Sequence, residues 1–170
     1  MTPLEDVLSG RDERAARQRE LLERRSSPSF VCQIALNIPG YPKRMPRDKA
    51  AVENFLKRFL KEYGEGYIDG GYVENGAGVC WIGLFDDGGF EAFIAKGCAV
   101  AVEEAAAGGR AADIDVITRD GVISRSNIKR PQRKCIICGG DAKVCSREAR
   151  HSVEELRAKT EALLKAVELS

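Results

Sequence analysis

Two stretches of helical period, residues 48–63 and 90–106, each stand between runs of strand character. That order constrains this chain more than any other feature. In the first stretch Val52, Phe55, Leu56, Phe59 and Leu60 recur at helical spacing, and Gly64 follows as a stop signal. In the second, Ala92, Phe93, Ala95, Cys98, Ala99 and Val102 form the apolar set. The first strand candidate, residues 30–38, ends at Pro39-Gly40, a turn signal. Two more, 66–74 and 78–85, are joined by Asn75-Gly76, a strong hairpin signal. A fourth, 113–118, is turned back by Asp120-Gly121 into 122–124. The order β-α-β-β-α-β predicts an α+β fold of the ferredoxin-like, palm type, with two helices covering one face of an antiparallel sheet. A polymerase-β-like nucleotidyltransferase core is the alternative layout.

A charged segment, 4–25, flanks this core and reads as helical. Ser9, with Asp12 and Glu13 behind it, would cap a helix starting near Gly10. Arg11, Arg14 and Arg17 then fall on one side of it. At the other end, Ser152 and Glu155 make a capping box for a helix over 152–169, with Leu156, Leu163, Leu164 and Val167 as its apolar stripe. The length of 170 residues suits a single domain: an N-terminal helix (1–25), an α/β core (26–126), and a basic, Cys-rich segment with a final helix (127–170). No apolar run is long enough to cross a bilayer, and the N-terminus lacks the apolar stretch of a secretory signal. Six cysteines without such a signal point to a reducing, cytoplasmic setting.

A net charge of +1 argues against a bulk nucleic-acid binder. The charge is uneven, however. Residues 119–150 carry nine Lys/Arg against three Asp/Glu, whereas residues 26–118 carry nine against thirteen. The basic segment holds Arg125, Lys129, Arg130, Arg133, Lys134, Lys143, Arg147 and Arg150 with no aromatic between them, so base stacking is not supported. A polyphosphate or an acidic protein surface suits it better.

Three constellations carry chemistry. Asp113 and Asp115 are two apart on a strand, so they share a face while Ile114 and Val116 turn inward. Carboxylates so placed repel unless a cation lies between them, and Mg²⁺ facing a phosphate is the natural occupant. Gly108-Gly109-Arg110 lies just upstream, with Arg110 as a phosphate clamp. The second constellation is Cys135, Cys138, Cys145 and His151, a Cys₃His set. It either holds a structural Zn²⁺ or is a group of reduced, partly buried thiols. The third is the basic cluster itself, joined by Lys43 in the loop after Pro39-Gly40. A serine hydrolase is disfavoured, because the single histidine sits in the cysteine cluster and no G-x-S-x-G occurs.

Four stretches coincide with one known family. They are L-S-G-R-D-E-R-A-A-R-Q (8–18), N-I-P-G-x-x-K (37–43), G-R-x-x-D-I-D-V (109–116) and the long run from Ser124 to Leu156 that contains R-K-C-I-I-C. The chain resembles apo-citrate lyase phosphoribosyl-dephospho-CoA transferases. It departs at 105–112, Ala-Ala-Ala-Gly-Gly-Arg-Ala-Ala, where the family usually has His-Pro-Leu before the Gly-Arg and bulky apolar residues after it. The resemblance implies transfer of a prosthetic group from 2'-(5''-triphosphoribosyl)-3'-dephospho-CoA to a serine of the acyl-carrier (gamma) subunit of citrate lyase, releasing pyrophosphate. Asp113, Asp115 and Arg110 would be catalytic, and Lys43, Arg125, Arg133, Arg147, Arg11 and Arg14 would bind the substrates. No nucleic acid and no membrane would be involved. The malonate decarboxylase carrier is the near alternative target, and a non-catalytic, zinc-bearing binding module is the alternative of a different class.

Overall fold

The computed structural model describes residues 1–64 and 66–168. Helix α1 (Pro3–Glu23) leads into β1 (Ser29–Leu36), α2 (Asp48–Glu62), the hairpin β2 (Tyr67–Asn75) and β3 (Gly78–Asp86), α3 (Glu91–Ala105), β4 (Ala112–Thr118) and the short β5 (Gly121–Val122). The basic segment contributes α4 (Ala142–Arg147), and α5 (Val153–Ala166) follows. The strands form one antiparallel sheet in the order β2-β3-β1-β4-β5. β3 therefore lies between β1 and β2, as the β-α-β-β-α-β reading required.

Strand periodicity divides the side chains between two faces. On one, Phe30, Cys32 and Ile34 of β1 join Trp81 and Phe85 of β3 and Ile114 and Val116 of β4 beneath α2 and α3. Phe55 and Phe59 of α2 and Ala95 and Ala99 of α3 complete this core, and all four are fully buried. The sequence reading left the position of the N-terminal helix open, and the other face is where it lies. That face is covered in part by α1, whose Leu21 and Leu22 pack on Val31, Ala35, Cys80, Ile82 and Leu84. That second layer explains why β1 and β3 are buried on both sides along nearly their whole length.

The expected start of α1 near Gly10 is corrected. Thr2 caps the helix in a full capping box with Glu5, and Pro3 occupies its first turn. Gly10 lies mid-helix where α1 crosses the β2–β3 turn. A Cβ there would come within 2.6 Å of both the Ala77 amide nitrogen and Asn75 Oδ1. At the far end, Leu169 of the expected final helix lies outside the described residues; the helix itself runs Val153–Ala166, with the expected Ser152–Glu155 box in place.

The bare run 105–112 has a packing cause. Gly108 takes φ 71°, and a Cβ on it would strike the Leu163 carbonyl and sit 2.6 Å from Val167 Cγ2. A Cβ on Gly109 would strike the Val102 carbonyl. The glycines let α5 and α3 close on this turn. Helix α5 is also stitched to the 37–47 loop, which includes a cis Tyr41–Pro42 bond. Arg157 Nη1 donates to the carbonyls of Pro39 (2.7 Å) and Pro42 (3.0 Å). Arg47 donates to those of Lys165 (2.8 Å) and Val167 (2.7 Å).

Candidate functional site

β4 pairs with β1 so that Asp113 lies opposite Ala35 and Asp115 opposite Gln33. Because Ile114 and Val116 fill the core at full burial, both carboxylates must emerge on the α1 side. The Asp113 side chain is half exposed. Asp115 is more enclosed, and burial, reinforced by the Asp113 charge, pushes its carboxyl up to about 6. Across from them, α1 contributes Arg11, Arg14 and Gln18, and Gln18 Nε2 donates to Gln33 Oε1 at 2.8 Å. Lys43 reaches in from the 37–47 loop, its Nζ donating to the Ile38 carbonyl at 2.7 Å. Burial and the charges of Arg11 and Arg157 hold its ammonium below the usual lysine range. Together these residues line a groove of about 380 Å³. The guanidinium of Arg14 is buried there, and among the described residues its Nε and Nη2 have no hydrogen-bond partner.

Ahead of its short pairing with β5 at Ile117 and Thr118, the outer edge of β4 is held by side chains. Lys96 Nζ donates to the Ile114 carbonyl at 2.9 Å, and the Ile114 N–H donates to Glu103 Oε1 at 2.9 Å. Glu103 in turn pairs with Arg125 (2.5 Å) and Arg133 (3.2 Å). Arg133 Nη2 also donates to the Ala112 carbonyl, and its Nη1 lies 3.9 Å from Asp113 Oδ1. Lys96 and Glu103 thus clamp the backbone between the two aspartates, a role the sequence reading missed. The only signal for it was a pair of charged residues on the inward side of an Ala-rich helix.

The structure separates the other sequence candidates. Arg125 is committed to Glu103 and Glu104 and does not line the groove. Arg110 donates to the Lys134 carbonyl at 2.7 Å and faces a second cavity. Arg147 stands exposed at the end of α4. The second cavity, of about 370 Å³, lies between the 37–43 loop and the cysteine segment, and it shares Asn37, Ile38 and Lys43 with the groove.

Cys135, Cys138, Cys145 and His151 converge. One ligand atom from each lies within 4.8 Å of all the others, and the Cys138 and Cys145 sulfurs are 3.4 Å apart. A tight turn makes this possible: the Cys135 N–H donates to the Gly140 carbonyl, and the Gly139 N–H to that of Cys135. The Gly140 amide, followed by His151 and Cys145, draws the Cys138 thiol down to about 6. Cys145, hydrogen-bonded to Cys138, is pushed up to about 11. The His151 Nε2 is buried without a hydrogen-bond partner. Four donors at near-tetrahedral spacing, one an orphaned imidazole nitrogen, fit a closed Zn²⁺ site, whose sulfurs lie roughly 3.8 Å apart for Zn–S bonds of about 2.3 Å. Among the described residues all six cysteines are free thiols, and no helix is long and apolar enough to cross a membrane.

Comparison with known proteins places the chain in a family. Residues 2–167 match the family described as apo-citrate lyase phosphoribosyl-dephospho-CoA transferase. A "Probable apo-citrate lyase phosphoribosyl-dephospho-CoA transferase" of Streptococcus pyogenes serotype M18 (strain MGAS8232) is 30% identical over 174 residues, covering 95% of this chain and 84% of its own length. A protein of the same description from Vibrio cholerae serotype O1 (strain M66-2) is 32% identical over 168 residues, covering 93% of this chain and 89% of its own. The groove and the cysteine cluster both fall within the matched residues, and the chain belongs to the apo-citrate lyase phosphoribosyl-dephospho-CoA transferase family.

Proposed function

We propose that this protein is a palm-type, pyrophosphate-releasing nucleotidyltransferase. It moves the 2'-(5''-phosphoribosyl)-3'-dephospho-CoA group from its 5''-triphosphate precursor to a serine of the citrate lyase acyl-carrier (gamma) subunit. The observation that carries this reading is one groove with two adjacent carboxylates, Asp113 and Asp115, on one wall and Arg11, Arg14 and Lys43 on the other. Such a groove suits a metal-bound polyphosphate, whose charge needs both a cation-binding pair and protein cations.

The serine oxygen forms a bond to the α-phosphorus, the bond from that phosphorus to the β-phosphate bridge breaks, and the serine proton is released as pyrophosphate departs. Asp113 and Asp115 would hold Mg²⁺, which when bound supplies charge neutralisation at the phosphoryl group and leaving group. Lys96 and Glu103 keep the two carboxylates in register by fixing the Ile114 backbone between them. The cysteine set would hold one structural Zn²⁺ that fastens the basic segment to the start of α5, and the Arg-rich surface around it suits an acidic carrier. Six free thiols fit a cytoplasmic setting.

Intact-mass measurement of apo carrier, incubated with this protein, Mg²⁺ and the triphosphoribosyl donor, tests the reading. The carrier should gain one prosthetic group. Asp113→Asn should lower the rate by several orders of magnitude without changing the fold, because transition-state charge stabilisation is lost. A near-normal rate in that variant would sink the assignment. A parallel incubation with the malonate decarboxylase carrier settles which carrier is preferred.

A further inference from the structure

Arg14 is the least expected side chain in the molecule. It is 8% exposed, near the middle of a helix otherwise poor in apolar contacts, and its Nε and Nη2 are buried without a partner. A buried charge normally has a counter-ion or a full set of hydrogen bonds, since leaving it unpaired is strongly unfavourable. Arg14 has neither. Its electrostatic neighbours are mixed: Asp113 and Glu13 favour the cation, whereas Arg11 opposes it. The nearby ammonium of Lys43 is also drawn out of water and bonds only a backbone carbonyl. Three cations gathered on one wall of a groove repel one another, and none of them makes an ion pair with the facing aspartates, so an anion in the groove would relieve them.

We infer that Arg14, with Lys43 and Arg11, forms a subsite for the condensed-phosphate end of the substrate, and that it retains inorganic pyrophosphate as a product. The identification of the anion as a leaving group rests on the proposed transfer reaction; the anion site itself does not. Three cations match a pyrophosphate, which carries several negative charges, better than a singly or doubly charged orthophosphate. The guanidinium fork can donate to two phosphate oxygens at once. Asp113 and Asp115 on the facing wall repel a bare anion, so the two walls divide the work. The carboxylates take the metal side of a polyphosphate and Arg14 takes the oxygens released with the leaving group. Free pyrophosphate then competes with the triphosphate donor and slows turnover as it accumulates.

Calorimetric titration with sodium pyrophosphate, in buffer without added divalent cations, tests this on the full-length protein. Wild type should bind pyrophosphate at least tenfold more tightly than orthophosphate or sulfate. Arg14→Gln should lose at least tenfold in pyrophosphate affinity, and Lys43→Met should also weaken it. Asp113→Asn should bind as tightly as wild type or more so, because a repelling charge has gone. In the absence of anion, Arg14→Gln should melt at the same temperature as wild type or higher, since an uncompensated buried charge has been removed. An arginine with a purely structural role would give the opposite result. If Arg14→Gln and Lys43→Met both bind pyrophosphate like wild type, the inference is overturned. If Arg14-dependent binding is found but no carrier is modified, the anion site stands and the proposed reaction falls.

Discussion

Replacing Glu103 by alanine should be among the most damaging single changes in the protein, although Glu103 touches no groove atom. The residue is 4% exposed, and its carboxylate serves Ile114 N–H, Arg125 and Arg133 at once. Removing one partner of a buried ion pair costs about 3–5 kcal/mol, because the other charge is left uncompensated. Here that figure falls toward its lower end: Arg125 keeps Glu104 at 2.9 Å, and Arg133 keeps the Ala112 carbonyl. The unsatisfied Ile114 N–H adds about 1–3 kcal/mol. A total of about 4–6 kcal/mol is a large share of the 5–15 kcal/mol that typically holds a domain together. With a urea m-value of about 2 kcal/mol/M, the midpoint should move by roughly 2–3 M. Glu103→Gln keeps an acceptor for Ile114 and should cost about half as much. The double variant Glu103→Met with Arg125→Met should be less destabilised than Glu103→Ala, since it removes a charge together with its partner. A midpoint shift below about 0.5 M for Glu103→Ala, at unchanged m-value, would refute the reasoning.

Two further outcomes follow from features elsewhere. Protein purified without chelator should contain about one equivalent of zinc by elemental analysis; stripping it should lower the melting temperature and expose Cys135, Cys138 and Cys145 to a thiol reagent, because metal and fold are coupled. Gly108→Ala should destabilise by about 1–3 kcal/mol in thermal or urea unfolding, since it places a Cβ against the Leu163 carbonyl at a left-handed φ; an unchanged midpoint would mean that α5 does not close on this turn.

Much of this architecture was legible from local pattern. The alternation at Asp113-Ile114-Asp115-Val116 set which side chains face the core before any pairing was known, and the Asn75-Gly76 signal located the hairpin to within one residue. The cysteines could be grouped by spacing because their ligand loop is short. What stayed hidden depended on distant partners. Ser9 with Asp12 and Glu13 imitates a helix start, yet Thr2-Pro3-x-Glu5 is the cap that forms, and Gly10 answers to the hairpin turn it crosses. The layer made by α1 was unreadable because its buried apolar contribution comes chiefly from Leu21 and Leu22 at one end, leaving no clear stripe. Lys96 and Glu103 look like solvent-facing charges until the Ile114 stretch of β4, which precedes the β5 pairing, is set beside them. Arg14 was recognisable as a cation, but its burial was not, since that depends on the hairpin packed beneath α1.

The ties between α5 and the 37–47 loop also set a clock on biosynthesis. A chain leaves the ribosome in order, and the Arg157–Pro42 contact joins residues 115 positions apart. At about 5–20 residues per second, the helix that fastens the loop is made roughly 6–23 s after it. Lys43 is made at the start of that interval and both aspartates only late in it, so the loop that carries Lys43 waits longest for its fastening. The 37–47 loop is therefore fastened late, when Arg157 and Arg47 find their carbonyls.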